Sequence, residues 1–172
     1  MFMAYSFSNA SFRDQDTGLY NEAYFMEMFY REWHRMIREH SALSVLVVHP
    51  NVDIQNPKGL QDFKTLAKLI DGSTKRTTDL VSRFHNNEFI IGLFDSCPKG
   101  TQTIIERILS SIQTSNANNE LNSANAFIGG LNIHPTGELD ITNVLREVET
   151  MTSFSARQKA DKAYELRLDT VH

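Results

Sequence analysis

A valine-rich, nearly unbroken apolar run from Leu43 to Val48, stopped by Pro50, constrains the fold of this chain more than any other segment. A strand wetted on one face alternates apolar and polar residues, whereas a strand covered on both faces does not. The run therefore predicts a central strand with helices on either side. Candidates for those helices flank it. Between Asn21 and His40, Phe25, Met28, Phe29, Trp33, Met36 and Ile37 recur at helical spacing, behind an asparagine able to cap the start. After the strand, Leu60, Phe63, Leu66, Ala67 and Ile70 mark a second helix, expected to stop near Asp71-Gly72, where glycine permits a left-handed turn.

Leu80 to Phe84 and Glu88 to Phe94 read as two strands joined by His85-Asn86-Asn87, a hairpin in which asparagine tolerates positive φ. Ile104, Ile105, Ile108 and Ile112 predict a third helix, and the polar stretch from Thr114 to Asn125 a surface loop. Ala126 to Ile133 reads as a strand, Pro135-Thr136-Gly137 as a turn, Asp140 to about Lys162 as a helix and Tyr164 to Val171 as an edge strand. This order predicts an α+β fold, a ferredoxin-like palm with a central, mostly antiparallel sheet flanked by helices.

At 172 residues and 41% hydrophobic content, the chain is long enough for one substantial core and short for two. A net charge of -4 provides no basic field to gather nucleic acid or anionic lipid. The single cysteine, Cys97, excludes an internal disulfide and reads as an inert thiol in a turn. The apolar opening Met1-Phe2-Met3-Ala4-Tyr5 has no basic residues before it, and no apolar run reaches the roughly 18 residues of a membrane span. A cytoplasmic protein without membrane insertion is expected.

The segment Asp14-Gln15-Asp16-Thr17-Gly18-Leu19-Tyr20-Asn21, with Phe25, resembles the entry motif of GGDEF domains, the bacterial diguanylate cyclase family. Asp79-Leu80-Val81-Ser82-Arg83-Phe84-His85-Asn86-Asn87-Glu88-Phe89 is similar to that family's Asp-x-x-x-Arg-Tyr-Gly-Gly-Asp/Glu-Glu-Phe hairpin, and Ile105-Glu106-Arg107-Ile108 to its Ala-Glu-Arg-Ile helix. The resemblance implies the palm of nucleotidyl cyclases over residues 14–172, with residues 1–13 as a lead-in.

Joining two GTP molecules requires a 3′-hydroxyl to attack an α-phosphate while carboxylate-held magnesium neutralises the developing charge. The resemblance places the two metal-binding carboxylates at the end of the central strand and at the third hairpin residue, where this chain carries His49 and Asn87. A neutral imidazole and amide suit magnesium poorly. One unit-charge contact near 4 Å is worth roughly 4 kcal/mol at an effective dielectric of about 20, so losing two is severe. Ile54 stands in place of the family's phosphate-contacting lysine, Pro57 falls near its guanine-reading asparagine, and His85-Asn86 replace two glycines that admit phosphate. No catalytic residue, metal ligand or cofactor is expected, although Glu88 survives.

The same resemblance implies a second, product-binding site. Many GGDEF domains carry an Arg-x-x-Asp five residues before the hairpin, and Arg76-Thr77-Thr78-Asp79 has that spacing. Arginine can bond phosphate or the guanine O6/N7 edge in two places, and a carboxylate accepts from guanine N–H groups. Arg107 matches a further family arginine. The expectation is a degenerate GGDEF domain that binds cyclic di-GMP through Arg76, Asp79 and Arg107 and signals to a partner or linked domain.

Two rival readings stand beside it. One is a nucleotide-independent homodimer or interaction domain using Tyr20, Tyr24, Tyr30 and Trp33 on or near the first helix. The other is a residual cyclase or altered enzyme using His49, His85 and Glu88, although no serine or cysteine nucleophile motif and no His-Glu-x-x-His pattern accompanies them.

Overall fold

A computed structural model of the chain describes residues 12–157 and 163–168. The valine-rich run becomes β1 (Leu43–Pro50), buried at every position except His49, which is partly exposed. It is the middle strand of a five-stranded sheet that also contains β2 (Leu80–Phe84), β3 (Glu88–Phe94), β4 (Ala126–Ile133) and β5 (Tyr164–Leu168), in the order β2-β3-β1-β4-β5. β1 runs antiparallel to β3, from Leu43↔Phe94 to Val48↔Phe89, and antiparallel to β4, from Leu43↔Ile133 to Pro50↔Ala126. β5 lies at an edge, parallel to β4. The strand thus outlasts its apolar run by two residues, because β4 supplies pairing as far as Pro50.

Successive side chains of β1 point to opposite faces, and each face has its own cover. Leu46 and Val48 pack with Phe63, Leu66, Ala67 and Ile70 of α2 (Pro57–Ser73) and Ile105, Ile108 and Ile112 of α3 (Pro98–Ala117). Val45 and Val47 pack with Phe25, Phe29, Trp33 and Met36 of α1 (Glu22–Glu39) and Val144, Leu145 and Val148 of α4 (Ile141–Arg157). The α+β palm expected from the element order is the fold observed. No helix among the described residues is long and apolar enough to cross a membrane.

Local signals set most of the boundaries. Asn21 caps α1 by accepting from the Tyr24 amide at 2.9 Å, and His40 closes it in a left-handed conformation. Cys97 sits at the cap of α3, where its Sγ accepts from the Gly100 amide at 3.3 Å.

Two expectations fail, and both for the same reason. α2 does not end in a left-handed turn at Gly72; Gly72 is helical, and Gly18 is the only described glycine with positive φ. The last carbonyls of α2 are satisfied instead by the hydroxyls of Ser73 and Thr74 and by Arg107, so no left-handed residue is needed there. Likewise residues 114–125 are not all loop. α3 continues through Ala117, and the remainder is fastened by polar side chains: Asn116 exchanges two hydrogen bonds with the Ala124 backbone, and buried Asp62 of α2 accepts from the Asn122 amide and side chain. Residues 158–162, expected to continue α4, and 169–171 of the expected edge strand lie outside the described residues.

α4 approaches the sheet closest at Gly129, where an added Cβ would stand 2.2 Å from Thr152 Oγ1 and 3.2 Å from Thr152 Cα. Overfilling a packed interface of this kind typically costs about 1–3 kcal/mol. Gly129→Ala should therefore lower the urea midpoint by a corresponding amount, and adding Thr152→Ala should recover part of the loss. An unchanged midpoint in Gly129→Ala would contradict this packing.

Candidate functional site

The β2–β3 hairpin and the C-terminal end of β1 form one edge of the molecule. Because Val48 pairs with Phe89, His49 and Glu88 lie beside each other on neighbouring strands, and His49 Nδ1 is 3.1 Å from Glu88 Oε2. Both are largely shielded, with side chains 35% and 11% exposed. Glu88 therefore has an internal partner. Asn87, the other position expected to face a metal, belongs to the tight turn, where its amide donates to the His85 carbonyl at 2.9 Å. Among the described residues no group of three or more His, Cys, Asp or Glu is placed to hold a metal ion. One carboxylate engaged by an imidazole does not fit magnesium, which prefers a shell of hard oxygen donors.

The start of α2 is closed by the chain itself. Asn56 caps it through the Lys58 amide, and the Asp53 carbonyl presses on Gly59 so closely that a Cβ would meet it at 1.8 Å. Ile54, in the position expected of a phosphate-contacting lysine, packs against the α2–α3 core.

The hairpin turn takes positive φ at His85 (48°) and Asn86 (74°), so histidine as well as asparagine adopts the strained conformation. His85 is held there from several sides. Its backbone N–H donates to Glu22 Oε1 at 3.1 Å, its Nε2 lies 2.7 Å from Glu149 Oε1, and its ring lies tilted against Phe84 with centroids 3.9 Å apart. His85 therefore partners Glu149 of α4, not Glu88. Arg83 fastens the opposite side of the hairpin by donating to the Asn86 carbonyl at 2.7 Å and to Asp14 and Asp16 at 3.1 and 2.8 Å. The roles of Glu22, Glu149 and Arg83 escaped sequence reasoning. Only the opposite charges of Asp14, Asp16 and Arg83, in the two motif blocks, hinted at one of them.

The second candidate site lies on the connection between α2 and β2. Arg76 and Asp79 close a turn on each other: the Asp79 amide donates to the Arg76 carbonyl at 3.0 Å, and the Arg76 amide donates to Asp79 Oδ2 at 3.1 Å. The Arg76 guanidinium is exposed and reaches the Asp95 carbonyl at 3.4 Å. Asp79 Oδ1 is buried without a hydrogen-bond partner among the described residues. Burial holds the Asp79 carboxyl above the usual aspartate range, opposed by the Arg76 backbone hydrogen bond and charge. Arg107 is anchored nearby, with its Nη1 donating to the Ser73 carbonyl at 2.9 Å, at the helix end that launches the turn. Arg76 and Asp79 are thus brought together directly, while Arg107 is joined to the same connection through α2.

This arrangement offers an exposed planar cation beside a carboxylate with unused acceptor capacity. Such a pair suits a ligand that presents both an anionic group and N–H donors.

The structure resembles solved palms of one kind. It matches the diguanylate cyclase SiaD of Pseudomonas aeruginosa, solved in complex with its activator SiaC, with a TM-score of 0.79 at 20% identity, over 96% of this chain and 65% of that one. It matches the coiled coil and GGDEF domain of DgcB from Caulobacter crescentus, solved with c-di-GMP, with a TM-score of 0.82 at 13% identity over 96% and 90% of the two chains. The FimX GGDEF domain of Pseudomonas aeruginosa gives 0.73 at 19% identity over 92% and 99%. No curated protein matches the sequence. The family model described as "Diguanylate cyclase, GGDEF domain" matches residues 11–162. With the fold, the hairpin and the entry motif in agreement, this chain belongs to the GGDEF domain family of the diguanylate cyclases.

Proposed function

We propose that this domain does not make cyclic di-GMP but binds it as a regulatory module, through the Arg76–Asp79 turn with help from Arg107. The observation that carries this reading is the turn itself, in which an exposed guanidinium neighbours a carboxylate whose buried oxygen has no hydrogen-bond partner among the described residues. The planar fork of Arg76 grips a phosphate or the O6/N7 edge of guanine, and Asp79 accepts from guanine N–H groups. Arg107 spends one N–H on Ser73 and keeps the others for ligand, so it both steadies the turn and extends the site.

The loss of synthesis follows from the opposite edge. Phosphoryl transfer between two GTP molecules needs divalent charge held by carboxylates. Here His49 occupies Glu88, Asn87 is uncharged, and Asn56 and Asp53 close the first turn of α2. A second reading is favoured by Tyr30, which is 58% exposed on α1 with its ring against His34. In that reading α1 is an interaction surface and nucleotide plays no part.

Calorimetry with cyclic di-GMP separates the two. The wild type should bind, and Arg76→Ala should weaken binding at least tenfold, about 1.4 kcal/mol. No heat with the wild type, or equal affinity in Arg76→Ala, rejects the proposal. Unchanged dimerisation with and without the ligand would then support the interaction role.

The raised pKa of Asp79 adds a pH test. In the free domain the folded state binds this proton more readily than the unfolded chain does. Stability relative to Asp79→Asn should therefore fall as pH rises from the ordinary value of 3.8 through the raised folded one. Ligand N–H donors favour the ionised carboxylate, so affinity for cyclic di-GMP should rise across the same window and level off above it. An affinity that falls with rising pH there would contradict the role given to Asp79.

A further inference from the structure

The Arg76 turn meets the rest of the molecule at Asp95, the residue directly after β3. Asp95 is left-handed, with φ at 53°, a conformation that aspartate tolerates better than most side chains but that still costs free energy. Its carbonyl accepts from Arg76 Nη1 at 3.4 Å. Its carboxylate accepts from Arg35 Nη1 at 3.2 Å. Arg35 lies in the second half of α1, where Glu32 and Glu39 hold its guanidinium as well. Ser41 follows the same helix, and the next residue along, Ser96, donates its amide to the Ala42 carbonyl at 3.1 Å. One residue is therefore joined through its main chain to the candidate ligand-binding arginine and through its side chain to the end of α1.

We propose that Asp95 is a positioning residue for the Arg76 site, through which the C-terminal end of α1 sets how Arg76 is presented to ligand. The proposal rests on the reading of Arg76 and Asp79 as a cyclic di-GMP site. The affinity of a phosphate-binding arginine depends on how well its fork is ordered before the ligand arrives. A movement of α1 against the sheet is transmitted by Arg35 to Asp95, and from the Asp95 carbonyl to the Arg76 guanidinium. By reciprocity, ligand drawn to Arg76 biases the position of α1. The Arg35–Asp95 pair is partly exposed and contributes little to stability by itself. Its consequence is one of geometry.

A double-mutant cycle read by calorimetry with cyclic di-GMP tests this. Arg35→Lys keeps the positive charge and loses the planar fork that spans Glu32, Glu39 and Asp95. Asp95→Gly keeps the left-handed backbone and removes the carboxylate. Arg35→Lys should weaken cyclic di-GMP binding about fivefold in the wild-type background, at the low end of typical coupling, and should have no effect in the Asp95→Gly background. Equal weakening in both backgrounds would mean that Arg35 acts without Asp95, and no weakening in either would mean that α1 does not reach the site; each result overturns the proposal. If the wild type gives no heat, or Arg76→Ala binds as tightly as wild type, the ligand-site reading itself fails and the positioning role falls with it. Thermal unfolding of each variant shows whether a loss of affinity comes from loss of fold.

Discussion

The burial of β1 on both faces is the constraint from which the rest of the molecule follows. Val45 and Val47 must be covered from one side and Leu46 and Val48 from the other, which forces two helices onto each face and leaves polar chemistry only at the strand ends. His49 is where the strand first escapes full burial. The hairpin pairs alongside that same end, so whatever His49 and Glu88 are, they must meet. In this chain they meet as an imidazole and a carboxylate at 3.1 Å.

The two edges of the domain then divide the labour electrostatically. At the hairpin each formal charge has a partner from another element: Glu88 with His49, His85 with Glu22 and Glu149, and Arg83 with Asp14 and Asp16. That edge is internally paired. At the α2–β2 connection the pairing is incomplete, with Arg76 exposed and Asp79 Oδ1 without a hydrogen-bond partner among the described residues. Incomplete satisfaction of a buried acceptor is costly.

How much of this was legible in the sequence depends on how far apart the interacting residues are. α1, β1 and the hairpin declare themselves because their apolar periods and caps are local, and Arg76 with Asp79 is readable because three residues span one turn. α2 ends close to where its sequence predicts, but without the expected left-handed turn, because Arg107, 34 residues away, satisfies its last carbonyl. Residues 114–125 looked like solvent-facing loop because periodicity cannot see that Asp62 accepts from Asn122, 60 residues on. For the same reason nothing in the sequence announced that Asp95 links Arg76 to Arg35, or that Glu149 holds His85. Long-range polar pairs leave no local pattern to find.

We propose that the β1 end and the hairpin have exchanged a cation-binding function for internal pairing. Incubating the protein with GTP and magnesium or manganese, and separating the products by chromatography, tests it most directly. No cyclic di-GMP above a protein-free control should form. Metal-dependent formation of cyclic di-GMP that disappears in Glu88→Ala would contradict it.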